Sequence, residues 1–163
     1  MKKINTDGAK INLPINKKLR FKNRKKQPTH RLPFVSLGAE MGINYWDVPK
    51  TGGYIGGCKT GNALALIYLK HTKENDPDEV GGRLHHIVLD MLNRRDSRSP
   101  QEHDSLQGQI VGFFYELEKL FYVASVIYGN TLDKHRDKDL LRKANAGLEF
   151  DSEAYLDSLP EEV

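Results

Sequence analysis

The longest regular signal in this chain is a run of positions at alternating spacings of three and four. His103, Leu106, Ile110, Phe113, Leu117, Leu120, Ala124 and Ile127 form a heptad seam, the spacing that keeps one stripe of a helix turned toward its neighbours. Phe114, Phe121 and Tyr128 add a second line seven residues apart. A face this wide predicts packing against at least two other elements, more than the narrow seam of a two-stranded coiled coil requires. Ser99-Pro100-Gln101-Glu102 marks the start of the helix as a capping box with proline in the first turn, and Gly129-Asn130 marks its stop.

Three more helices follow from the same kind of pattern. Residues 62–73 contain Ala63-Leu64-Ala65-Leu66-Ile67-Tyr68-Leu69, apolar all round, which predicts a central, fully packed helix. Asp76-Pro77-Asp78-Glu79 supplies a cap, a first-turn proline and a first-turn carboxylate for a helix reaching about residue 95. Its apolar stripe includes Leu84, Ile87, Val88 and Met91, with Arg83, His86, Asp90 and Arg94 on the polar face. Residues 132–146 predict a surface helix of mixed charge, opening at Thr131 and stopping at Gly147.

Between Gly38 and Gly61 the periodicity breaks, because seven of the fourteen glycines fall there. Such density favours turns and predicts an irregular segment with a short hairpin, its strands near 43–48 and 53–56. The expected fold is mainly α: a bundle of about four helices over 62–147, preceded by this glycine- and aromatic-rich segment over 32–61, as one globular domain.

Charge changes the picture at both ends. Residues 1–31 hold eleven Lys or Arg against the single acid Asp7, a net +10, whereas 144–163 hold six acids and no base. The whole chain, at +3, conceals this segregation. The first 31 residues are poor in large apolar side chains and cannot offset the entropy of ordering, so they predict an extended basic arm; residues 148–163 predict an acidic tail. No apolar run approaches the roughly 20 residues of a membrane span, no secretory-type leader is evident, and Cys58 is the only cysteine. A cytoplasmic protein without an internal disulfide is expected.

The arm is the main functional signal. Lys17, Lys18, Arg20, Lys22, Arg24, Lys25 and Lys26 place seven cations in ten residues, with Arg31 beyond. Such a cluster binds phosphate backbones by releasing condensed counterions, without reading sequence. Lys50 and Lys59 lie near Tyr45, Trp46 and Tyr54, which suggests cations beside aromatic stacking platforms for single strands, although a lone tryptophan in a small protein is more often a core or cap residue. An acidic protein partner, or the chain's own acidic tail, is the competing occupant of the arm.

Two stretches approach enzymatic patterns. Residues 52–61 are glycine-rich and end near a helix, but Cys58 separates Gly57 from Lys59, so the phosphate-loop spacing is not met. His71, His85-His86, His103-Asp104 and Asp133 or Asp137 occur in an order that resembles the layout of HD-type phosphohydrolases. That resemblance implies a divalent metal activating water for phosphate-ester cleavage, with His85, His103 and Asp104 the residues able to share one ion. The residues flanking His103-Asp104 are not apolar as they usually are in that family, and a surface histidine pair is the simpler account. The sequence reading is therefore a non-enzymatic, cofactor-free, nucleic-acid-associated protein with protein partners or copies of itself on its wide apolar face. A regulator or inhibitor acting through its charged ends is the alternative.

Overall fold

A computed structural model describes residues 18–22, 28–37, 42–75, 83–94, 99–152 and 157. The rest of the predicted arm, the capping sequence at 76–79 and residues 153–156 and 158–163 of the acidic tail lie outside the described residues. The fold is mainly α, and among the described residues it comprises four helices and a minimal sheet: a 3-10 turn Pro28–Arg31, β1 Ser36–Leu37, β2 Ile43–Asn44, α1 Gly53–Glu74, α2 Arg83–Asn93, α3 Pro100–Tyr128, a second 3-10 turn Gly129–Lys134, and α4 Asp137–Leu148. The strands pair antiparallel, Ser36 opposite Asn44 and Leu37 opposite Ile43. The hairpin therefore lies earlier than expected, and 53–56 is helix.

That early helix is the largest departure from expectation. Glycine costs about 1 kcal/mol relative to alanine inside a helix, so residues 52–61 were expected to stay irregular. Packing reverses this. A methyl group built on Gly57 or Gly61 of α1 would run into the carbonyl oxygens of Ser105 and Gln109, and one on Gly108 or Gly112 of α3 into those of Tyr54 and Cys58. The two backbones touch, and only glycine leaves the space. The side chain of Asn62 lies at this crossing, its NH2 donating to the Cys58 and Gly112 carbonyls, the latter at 2.5 Å. Gly52, at φ +86°, turns the chain into α1.

The chain divides into two units, residues 1–119 and 120–163. The core belongs to the first. Phe113 is fully buried and meets Trp46, Phe34 and Tyr68 at centroid distances of 5.2, 6.5 and 6.0 Å. Leu64 and Ala65 of α1, Ile87 and Met91 of α2, and Leu106 and Leu117 of α3 close around them. The irregular segment contributes Leu32, Phe34, Val35, Tyr45, Trp46 and Val48, so it acts as a layer of the core. Consequently α1 is not packed all round: Leu66 is 56% exposed.

Ser99 caps α3 as expected, the Glu102 N–H donating to Ser99 Oγ at 3.2 Å. Burial along its seam ends at Leu117, while Leu120 and Ile127 are exposed and His103 faces outward. In the second unit no described residue is buried. No helix among the described residues is long and apolar enough to cross a membrane.

Candidate nucleic-acid interface

Of the ten cations singled out above, Lys17, Arg24, Lys25 and Lys26 lie outside the described residues. The other six separate into two sets. Lys22, Arg31 and Lys50 belong to the anchored part of the chain: Lys22 Nζ donates to the Val35 carbonyl, the Lys22 backbone N–H donates to the main-chain carbonyl of Arg31 at 3.2 Å, and Lys50 Nζ donates to the Arg94 carbonyl. Lys18, Arg20 and Lys59 are exposed, and none forms an ion pair with a described residue.

The bonds of Lys22 explain the second set. They pin the end of the arm to the 3-10 turn, and Leu19 packs against the core from the same segment. With Leu19 and Lys22 turned inward, Lys18 and Arg20 remain outside. Residues 19–21 then form one wall of a groove of about 410 Å³, whose other wall is α1. Leu19, Pro33, Ala63 and Ile67 give it an apolar floor, and Arg20, Lys59 and Phe21 border it. Phe21 is 60% exposed. An aromatic face beside unneutralised cations is the pairing that holds a base and its phosphate together.

Sequence reasoning passed over Phe21. The available signal was an apolar pair spaced by two, Leu19 and Phe21, inside a run of cations.

The aromatic residues chosen instead do other work. Trp46 is fully buried, its indole N–H donating to Gln109 Oε1 at 3.1 Å. Tyr45 is 8% exposed and lies flat against His86 with centroids 5.0 Å apart, while its backbone N–H donates to Asp90 Oδ2 at 2.5 Å. Neither presents a ring to a base, a correction that follows from the core role of the irregular segment. Tyr54 is 44% exposed, on the first turn of α1 and away from the residues lining the groove; the neighbouring Cys58 is the main cause raising its phenol above the usual pKa.

The metal constellation is not assembled. Among the described residues no three His, Cys, Asp or Glu side chains come together to hold an ion. His85 and the neighbouring pair His103 and Asp104 are exposed, and His85 lies against the His86 ring at 3.9 Å. His71 is held by Asn75, whose amide nitrogen is 3.3 Å from Nδ1, while its buried Nε2 meets no hydrogen-bond partner among the described residues. Burial pushes its pKa below the usual histidine value, with Glu74 opposing. The glycine-rich stretch that approached a phosphate loop is the first part of α1, where the Gly56 N–H already donates to the Gly52 carbonyl at 3.1 Å, so from Gly56 onward the amides bond along the helix and do not form a loop. No protein-family model, no curated protein and no solved structure matches the chain.

Proposed function

We propose that this protein is a non-enzymatic, nucleic-acid-associated subunit. Its basic arm holds DNA or RNA phosphates without sequence preference, and the groove beside Phe21 takes a base of a single strand. The observation that carries this reading is the exposed Phe21 ring bordering an apolar groove together with Arg20 and Lys59. Charge supports it: residues 1–31 carry a net +10, and each phosphate neutralised releases condensed counterions. Both contacts tolerate any sequence, because every nucleotide has a phosphate and every base a π-face.

The test is the anisotropy of a labelled, mixed-sequence single strand titrated with protein at several salt concentrations. Log affinity is expected to fall linearly with log salt, and the slope is expected to flatten when residues 1–17 are removed and Lys18, Arg20 and Lys59 are replaced by alanine. Binding that keeps its affinity and slope after those changes defeats the reading.

A further inference from the structure

The last three turns of α3 are apolar on every side. From Leu120 to Tyr128 only Ser125 is polar and none is charged, yet Phe121, Tyr122, Val126 and Ile127 are 50–71% exposed. The exposure continues past the helix end. Twelve large apolar side chains between Leu120 and Phe150 are each 46–86% exposed.

We propose that residues 120–148 are a self-association element through which two copies of this chain form a dimer. Area is the first argument. With a large aromatic side chain presenting roughly 150–250 Å² and a leucine somewhat less, these residues expose on the order of 1,000 Å² of apolar surface. The largest apolar patch of an ordinary monomer is about 300–600 Å², and a standard interface takes about 800 Å² from each partner. Charge is the second argument. A patch without charged residues over nine positions can lie on its own copy with no like-charge repulsion, as a two-fold interface demands.

The third argument is the need for cover. A helix apolar all round must be surrounded, and among the described residues of this unit α4 is exposed as well, with Leu140, Leu141 and Leu148 bare beside Arg136, Asp139 and Arg142, which pair with one another. A second copy brings a matching pair of bare helices, the way bundles close their apolar faces. The inference is independent of nucleic-acid binding, though a dimer would carry two basic arms and gain from their combined valence.

The test is sedimentation of the full chain after nuclease treatment, across low-micromolar to 100 µM concentrations chosen to bracket roughly micromolar affinities. A species of twice the 18.6 kDa chain mass is expected. Replacing Leu120 and Ile127 together by aspartate is expected to weaken it by roughly 100-fold or more, since carboxylates would be buried unpaired. Leu140→Asp with Leu141→Asp is a second, separate disruption. Emission from Trp46, the only tryptophan and part of the first unit, should stay unchanged in both and so reports that the first unit is folded. A wild-type chain that remains monomeric, forms open-ended polymers, or keeps dimerising in both variants overturns the proposal.

Discussion

The indole N–H of Trp46 and the side-chain oxygen of Gln109 meet at 3.1 Å across 63 residues of sequence, both fully buried. Gln109 uses its other end as well, donating through Nε2 to the Pro49 carbonyl at 2.8 Å. Next to it the Ser105 hydroxyl donates to the Thr51 carbonyl at 2.8 Å. Two side chains of α3 thus hold the irregular segment just before α1. Replacing Gln109 by alanine strands a buried N–H and a buried carbonyl and opens a void. Such losses cost about 1–3 kcal/mol for each unsatisfied group, so a total of roughly 2–4 kcal/mol is expected. Urea unfolding followed by Trp46 fluorescence measures it; a loss below about 1 kcal/mol would mean that the network contributes little.

The α1–α3 crossing makes a sharper prediction, because glycines in one chain should respond in opposite ways. Gly61→Ala or Gly112→Ala must push two helix backbones apart, an overpacking cost of about 1–3 kcal/mol or more. Gly147 in α4 has nothing within 4 Å of an added methyl, so Gly147→Ala should stabilise α4 by up to about 1 kcal/mol and raise its helix content. Circular dichroism and thermal melting of the single variants separate them. Equal responses would show that intrinsic helix propensity, and not the contact, governs these positions.

This crossing also shows how far the sequence could be read. Local signals served where local forces decide: the Ser99 capping box and the three-four spacing placed α3 to the residue, because caps and stripes are written within a few positions. They failed at residues 53–61, where the gain comes from a helix some fifty residues away and a single sequence carries only the glycine's cost. The extent of burial was equally illegible. Phe113 and Leu120 occupy equivalent seam positions seven residues apart, yet one is fully buried and the other 46% exposed, since pattern tells which face is apolar and not what covers it. For the same reason the sequence leaves both a core place and a stacking place open to Trp46 and Tyr45, and only the packing of the irregular segment puts them in the core, while Phe21 is hidden inside a charge run.

Binding measurements can distinguish the two contacts assigned to the groove. Lys18→Ala, Arg20→Ala and Lys59→Ala each remove one cation, and at about 0.7 per phosphate for single strands the triple variant should lower the salt slope by roughly 2. Phe21→Ala removes a stacking face and no charge. Its expected cost is about 1–3 kcal/mol per base with the salt slope unchanged. If the Phe21 variant changed the slope instead, the ring would be acting by holding the arm in place. Leu19, which packs on the core, is the control for that outcome, since Leu19→Ala disturbs the arm without touching ring or charge.

Acid sensitivity should trace in part to His71. Its imidazole sits below the ordinary pKa because burial disfavours the cation, Glu74 partly restoring it and Arg31 adding to the depression. A base with a lowered folded-state pKa takes up its proton more readily when unfolded. The fold therefore suffers no penalty from this group at pH well above about 6.5, begins to lose stability as pH falls through that unfolded value, and loses no more once pH is below the folded pKa. The solvent-accessible part of the ring screens the effect, so a shift of melting temperature is the readout. His71→Gln keeps polarity and abolishes titration, and it should shrink the difference in melting temperature between pH 7.5 and 5.5, both values flanking the unperturbed histidine pKa of about 6.5. A difference unaltered by the substitution would assign the acid response to other groups.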